Sequence, residues 1–309
     1  MPLKNKQVIF VVGPTAIGKT RLAVKLAGRI NGEIISADSM QAYKGMDVLS
    51  QAPAPAQTKK IRHHLIKFLS PGKEYSAAVF RRKASLAIED IFRRRKVPIV
   101  SGGSGLYVKA LVDGLFPSPK ADPAFRAKMY KYASRYGNKR LHEKLKKVDE
   151  EAALSIHPND VKRVIRALEI WHTSGKTMTR LKKETKGLKD KCRVSLFGLT
   201  ARRQKIYDNI NKRTDRMLCH GAIGEVRRLS GRTLSKTAKA ALGFKEIAGY
   251  LAGEYDYDTA VELMKRNTRR FAKRQLTWFR ADKRIAWFDT ASLDEKKIIR
   301  GIMKAVARG

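Results

Sequence analysis

The 309 residues carry 67 Lys and Arg against 28 Asp and Glu, a formal charge of +39; solubility does not require such an excess, which predicts a polyanionic partner, nucleic acid first among candidates. A chain of this length buries a core without disulfides or metal clusters, and its two cysteines, Cys192 and Cys219, have no partner at Cys-x-x-Cys spacing and no histidine cluster nearby, which argues against a zinc site. No run approaches the ~18 apolar residues of a membrane span, and the polar Met1 to Gln7 lead lacks a small-residue cleavage site, so a cytoplasmic protein is expected.

In chain order, Gln7 to Val12 reads as a buried strand, Gly18 to Ile30 as a helix and Glu33 to Ala37 as a second strand. Ser76 to Phe92 reads as a helix and Val97 to Val100 as a third strand. Short β-branched runs alternating with amphipathic stretches predict an α/β domain with a parallel sheet covered by helices. From Pro117 and Pro119 the chain turns Lys-rich, Tyr-rich and helical, which predicts an inserted helical domain. The polar, basic segment Lys176 to Lys191 reads as a solvated connection. Arg193 to Leu199 then alternates as a strand, and Gln204 to Leu229 and Tyr257 to Arg280 read as helices. A lone strand needs a sheet to join, so the tail is expected to return to the first domain. The expected division is 1–117 with 191–309 as the core domain and 118–190 as the insertion.

Between the first strand and first helix lie Gly13, Pro14, Thr15, Ala16, Ile17, Gly18, Lys19 and Thr20, matching the phosphate-loop pattern Gly-x4-Gly-Lys-Ser/Thr. Glycines there let backbone N–H groups close around phosphate oxygens at a positive helix end. Lys19 supplies a mobile point charge, and the Thr20 hydroxyl is placed to ligate Mg²⁺. A di- or triphosphate ligand follows; whether phosphorus or carbon is attacked does not.

Ligands of open α/β sheets lie beyond the carboxyl ends of the strands. The residues just past the second and third predicted strands are Asp38, Ser39, Met40 and Gln41, and Ser101 to Gly105 with Ser104 on a glycine loop. Asp38 suits a general base or a hydrated Mg²⁺ ligand, and equally an N-cap or Asx turn. Ser104 suits a donor to a phosphate or bridging oxygen, or is an incidental hydroxyl in a glycine-rich turn.

The phosphate loop, Ser36-Ala-Asp-Ser-Met-Gln-Ala-Tyr43, Arg62-His-His-Leu-Ile66, Gly102-Gly-Ser-Gly-Leu-Tyr107, Ile156-His-Pro-Asn-Asp160, Arg163-Val-Ile-Arg-Ala-Leu-Glu169 and Ala272-Lys-Arg-Gln-Leu-Thr-Trp-Phe279 together, in this order, resemble the tRNA dimethylallyltransferases. The resemblance implies a nucleotide-kinase-like phosphate-loop core with a helical insertion. It also implies transfer of a dimethylallyl group from dimethylallyl diphosphate to the exocyclic amine of the adenosine 3′-adjacent to the anticodon in tRNA. On it, the phosphate loop holds the diphosphate, Asp38 takes the amine proton, and Ser104, where the family usually has Thr, contacts the leaving oxygen. Arg213, in Asn211-Lys-Arg-Thr-Asp-Arg-Met-Leu218, matches the arginine that neutralises departing diphosphate with Lys19 and Mg²⁺. Departures are Leu49-Ser-Gln-Ala-Pro53 for the usual Gly-Thr-Ala-Lys-Pro, which removes a basic contact, Thr214 for Val and Phe244 for Tyr.

For tRNA, the resemblance nominates Asp38, Ser39, Met40, Gln41, Ser104, Arg126 and the segment Lys162, Arg163, Val164, Ile165 and Arg166. Periodicity puts Val161, Val164, Ile165, Leu168 and Trp171 on one packed helix face, with Lys162, Arg163 and Arg166 beside it. Met264, Phe271 and Trp278, seven apart, read as core, with Lys265, Arg266, Arg269, Arg270, Lys273 and Arg274 crowding the remaining surface of that helix. The target base has to leave its stack to meet an enclosed donor, and the resemblance implies Gln41 near the extruded adenine. The partners expected are the tRNA anticodon stem-loop and dimethylallyl diphosphate, with Mg²⁺ as cofactor, no membrane, and a monomer. Transfer to free adenine nucleotides, a small-molecule kinase and a nucleic-acid-binding phosphate-loop ATPase are the competing readings.

Overall fold

The computed structural model describes residues 6–53, 55–116 and 119–308, so the domain boundary expected at Pro117 lies outside the described residues. Two compact units form: Met1–Val112 with Leu188–Gly309, and Asp113–Gly187.

The first unit is built on strands β1 (Gln7–Val12), β2 (Gly32–Ser36), β3 (His63–His64), β4 (Val97–Gly102), β5 (Arg193–Thr200) and β6 (Ile285–Asp289). They form one six-stranded sheet in the order β3-β2-β4-β1-β5-β6, every pairing parallel. Strand β1 is central, with Ile9 opposite Ile99 on one side and Ser195 on the other. Covered on both faces, such a strand has to be apolar throughout, and the period of two divides its side chains. Val8, Phe10 and Val12 enter one core with Ile35, Val100, Phe80 and Tyr107. Ile9 and Val11 enter the other, with Leu22, Leu26, Ile34, Phe197 and Ile299.

Helix starts follow local chemistry. The Lys19–Arg29 helix begins after Gly18, at φ 93°, and buries Leu22, Ala23, Leu26 and Ala27 as one stripe. The Ala77–Arg93 helix is capped by Ser76, whose Oγ accepts the Val79 N–H at 3.3 Å. The Tyr257–Arg280 helix is capped by Asp256, which accepts the Thr259 N–H at 2.8 Å. The predicted Gln204 to Leu229 helix is two, Arg203–Cys219 and Ala222–Ser230. They are broken at Gly221, whose φ of 90° suits a residue without Cβ. Strand β6 and the Glu295–Arg308 helix are additions that the sequence pattern did not reveal.

Near the sheet edge, on β2, Glu33 is buried and receives hydrogen bonds from Arg94, whose Nη2 is 2.9 Å from Oε2, and from His64 at 2.7 Å. Lys96 Nζ lies 3.1 Å from its other oxygen. Burial alone would raise this carboxyl, but the three donors outweigh it and hold it at about 2. The Arg62-His-His segment thus owes its second histidine to a structural cluster that fastens β3 to β2.

The second unit is helical: Pro123–Tyr136, Asn138–Val148, Glu150–Ser155, Val161–Ser174 and Met178–Lys183. Its core gathers Leu141, Leu145, Val164, Ile165 and Leu168. Trp171, expected on the packed face, is 45% exposed, because the stripe ends a turn earlier with Leu168. The segment Lys176 to Lys191 is more ordered than a solvated connection. Thr177 caps Met178–Lys183 through the Arg180 N–H at 3.2 Å, and Leu181 and Leu188 are buried.

Candidate active site

A cavity of about 930 Å³ opens at the carboxyl ends of β1, β2 and β4, lined by the phosphate loop, the loops after β2 and β4, and the Arg203–Cys219 and Tyr257–Arg280 helices. The phosphate loop takes its shape from backbone geometry. Gly13 has φ 144°, and a Cβ there would sit 2.6 Å from the Leu199 carbonyl oxygen. No side chain larger than hydrogen fits between loop and β5.

Thr15, Ala16, Gly18, Lys19 and Thr20 line this cavity with Asp38, Ser39, Met40, Gln41, Ser104 and Arg213. Five of the lining side chains are cationic, Lys19, Arg21, Arg213, Lys236 and Arg274, and Asp38 is the one carboxylate among the described lining residues. The enclosure costs two of them, Lys19 and Arg213, their solvation. Burial pushes the Lys19 ammonium down to about 8, with Asp38 partly restoring it and Arg213 depressing it further. Burial likewise lowers Arg213, to about 10, against the pull of Asp38. Two cations each destabilised by their surroundings, with one counter-charge between them, make a site that gains by admitting a polyanion.

Side-chain contacts set the geometry. Lys19 Nζ donates to the Pro14 carbonyl at 2.7 Å, and an Arg213 guanidinium nitrogen donates to Thr15 Oγ1 at 2.7 Å. Asp38 Oδ1 accepts the Met40 N–H at 2.9 Å, so the Asx turn forms, while Asp38 still lines the cavity. The Ser104 hydroxyl accepts the Ser39 N–H at 3.3 Å, and the Ser104 N–H reaches the Ala37 carbonyl at 3.2 Å, tying the two strand-end loops together. Gly102 permits that approach: a Cβ there would lie 2.2 Å from the Ala37 oxygen. Gln41 is held by the Ser36 hydroxyl at 2.8 Å and donates to the Gln51 carbonyl at 3.2 Å.

The hard oxygen donors of Thr20 and Asp38 share this cavity, and among the described residues no cluster of three or more His, Cys, Asp or Glu could hold a metal alone. That donor set fits an ion such as Mg²⁺, which keeps most of its waters and takes its remaining ligands from substrate phosphates.

Other expectations fare differently. Val164 and Ile165, nominated for tRNA contact, are buried in the core of the helical unit, so their side chains offer no surface to RNA. Lys162 and Arg163 are exposed, Arg163 lying 3.2 Å from Asp160. Arg126 grips buried Glu169 with two hydrogen bonds of 2.8 Å, and Arg166 also bonds that carboxylate and donates to the Pro119 carbonyl at 3.0 Å. Both arginines therefore hold the unit together while their edges stay part-exposed. Met264 is core, but Phe271 lines the cavity and Trp278 is 38% exposed, packed where a Cβ on Gly105 would go. Lys265 pairs with Asp215 at 2.9 Å and Arg269 donates to Asn211 at 3.0 Å, whereas Arg266, Arg270, Lys273 and Arg274 are exposed. Sequence reasoning missed Gln275, Lys236 and Thr237 as parts of the lining, and singled out the Leu49–Pro53 stretch, which also lines the cavity, only as a departure that removes a basic contact. Gln275 carried one signal, a polar residue on the buried stripe that Ala260, Met264, Ala272 and Phe279 otherwise fill.

A phosphate-loop sequence that shares one cavity with a carboxylate and a serine at the carboxyl edge of a parallel sheet defines a protein of the phosphate-loop class. A model of the IPP transferase family matches residues 41–282, and the chain belongs to that family. The tRNA dimethylallyltransferase of Halothermothrix orenii is 48% identical over 303 residues, covering 97% of this chain and 92% of that protein. That of Thermotoga maritima is 40% identical over 302 residues, covering 97% and 98%. The crystal structure of a Bacillus halodurans tRNA isopentenylpyrophosphate transferase aligns with a TM-score of 0.73 at 39% identity, covering 98% of this chain and 96% of that one. A eukaryotic dimethylallyltransferase acting on tRNA aligns with a TM-score of 0.76 at 27% identity, covering 98% and 80%.

Proposed function

We infer that the chain transfers the dimethylallyl group of dimethylallyl diphosphate to the exocyclic amine of the adenosine 3′-adjacent to the anticodon in tRNA, releasing diphosphate. The observation that carries this is the single cavity that unites the phosphate loop, Arg213, Asp38 and Ser104 under a surplus of positive charge. The amine nitrogen attacks C1 of the prenyl group, the C1–O bond breaks with its electron pair going to diphosphate, and the surplus amine proton passes to Asp38. Charge then accumulates on the leaving oxygens, which is where Lys19, Arg213, the loop N–H groups and the Ser104 hydroxyl act. Thr20, with Asp38 at hand, would hold Mg²⁺, which would supply further neutralisation of the leaving diphosphate.

The adenine has to leave its stack to enter the cavity, with Ser39, Met40 and Gln41 beside it. Lys162 and Arg163 of the helical unit, with the exposed edges of Arg126 and Arg166 and with Arg270, Lys273 and Arg274 of the core unit, meet tRNA phosphates. In this reading residues 1–117 and 191–309 hold the donor and 118–190 the insertion that contacts tRNA. On this reading it works on tRNA as a cytoplasmic monomer. Among the described residues no helix is long and apolar enough to cross a membrane. A free-nucleotide acceptor would leave the +39 charge without a purpose. The test is single-turnover transfer to tRNA by Asp38→Asn, expected to lose transfer while keeping tRNA affinity; undiminished transfer would remove Asp38 as the base.

A further inference from the structure

We propose that Gln275 is a positioning residue that locks the phosphate loop and the glycine loop after β4 into one register, and so sets the distance between the diphosphate cradle and the Ser104 hydroxyl. The proposal rests on the prenyl-transfer reading only for which step the lock serves.

The Gln275 side chain is buried, and its amide is used at both ends. Oε1 accepts the Thr15 N–H at 2.8 Å, and Nε2 donates to the Gly103 carbonyl at 2.9 Å. These partners stand 260 and 172 residues away in the chain, on the two loops that the sheet presents side by side. The fit is close: a Cβ on Gly103 would lie 2.2 Å from Gln275 Nε2. Thr15 also carries, on Oγ1, the hydrogen bond from Arg213 at 2.7 Å. One amide therefore fixes the phosphate loop, the residue that orients Arg213, and the loop that ends in Ser104. Three residues on, Trp278 covers Gly105, so the same helix face continues along the glycine loop. A phosphate-loop N–H spent on a protein acceptor is not available to the ligand; its task is to hold the loop shape in which the remaining N–H groups converge.

Gln275→Leu keeps the volume and removes both hydrogen bonds, leaving a donor and an acceptor unpaired. Calorimetry with inorganic diphosphate is expected to show affinity lowered about tenfold or more, and prenyl transfer to lose more in kcat than in the KM for tRNA. Gln275→Glu separates a hydrogen-bonding role from mere filling of space. Its protonated carboxyl reproduces both bonds and its ionised form opposes the Gly103 carbonyl. Its kcat relative to wild type should therefore recover as pH falls from about 8 to about 5.5, while the ratio for Gln275→Leu stays flat. Gly103→Ala, which displaces the amide from the other side, should repeat the loss of diphosphate affinity and guards against a Leu variant that does not fold. Wild-type diphosphate affinity in folded Gln275→Leu or Gly103→Ala, or a Glu variant whose ratio to wild type does not move with pH, would overturn the proposal. If the wild-type chain transfers no prenyl group yet Gln275→Leu still loses diphosphate affinity, the functional reading fails and the lock stands.

Discussion

The Lys19 ammonium gives the most quantitative handle on the site. Burial holds it at about 8 in the unliganded protein, so it changes charge inside an accessible range. Bound diphosphate favours the charged form, which makes donor binding a proton-linked event above that pH. Below about 8 the free protein already carries the proton and affinity for dimethylallyl diphosphate should be level. Above it, each pH unit removes the binding-competent form roughly tenfold, so affinity should fall about tenfold per unit until the complex itself deprotonates. The ligand does not blur this window, because a phosphate monoester loses its last proton near about pH 6. Unliganded stability runs the opposite way. Between about 8 and the ordinary 10.5 the unfolded chain holds a proton that the folded chain has released, so stability contributed by this group rises with pH there. Calorimetric titrations from about pH 7 to about pH 10, in buffers of different ionisation enthalpy, read both the slope and the proton uptake. Arg213→Gln should move the break upward, because Arg213 depresses Lys19, and Lys19→Arg should abolish it. An affinity that does not vary across the range, or a break unmoved by Arg213→Gln, would refute the reasoning.

Binding of tRNA should weaken steeply with salt, by about 10³-fold or more between 50 and 200 mM if on the order of six phosphates are neutralised, as filter binding or fluorescence anisotropy would register; a flat profile contradicts the charge argument. Ser104→Ala should lower kcat by about 10²-fold while Ser104→Thr, which keeps the hydroxyl, stays near wild type; equal activity of all three enzymes would remove Ser104 from leaving-group stabilisation.

Much of this fold was readable because local rules agreed with the tertiary outcome. Gln7–Val12 is apolar at every position but the first, as a strand covered on both faces requires, and the glycine pattern that follows has one use at a strand-to-helix turn. The Tyr257–Arg280 helix matched its expected ends, its start fixed by a side-chain cap at Asp256. Strand β6 was hidden because Ile285–Asp289 acquires its meaning only from β5, some ninety residues earlier, where Leu196 pairs with Ile285. Gly221 lay within a plausible helical period, and only its backbone conformation divides that stretch in two. Trp171 and Trp278 show the limit of periodicity: spacing fixes a face, but what covers the face is decided by distant elements. The candidate site was legible where residues follow a strand end, as Asp38 and Ser104 do. Where two remote loops converge on one amide, as at Gln275, the sequence offered only a polar residue on a buried stripe and not its partners.

The central claim is that this cavity joins a prenyl diphosphate to a tRNA base. Incubating the protein with isotopically labelled dimethylallyl diphosphate and Mg²⁺, in the presence of tRNA or of AMP, and locating the label by nuclease digestion and mass spectrometry tests it directly. The account predicts label on the adenosine that follows the anticodon and none on AMP; label on AMP alone, or phosphate release without transfer, would contradict it.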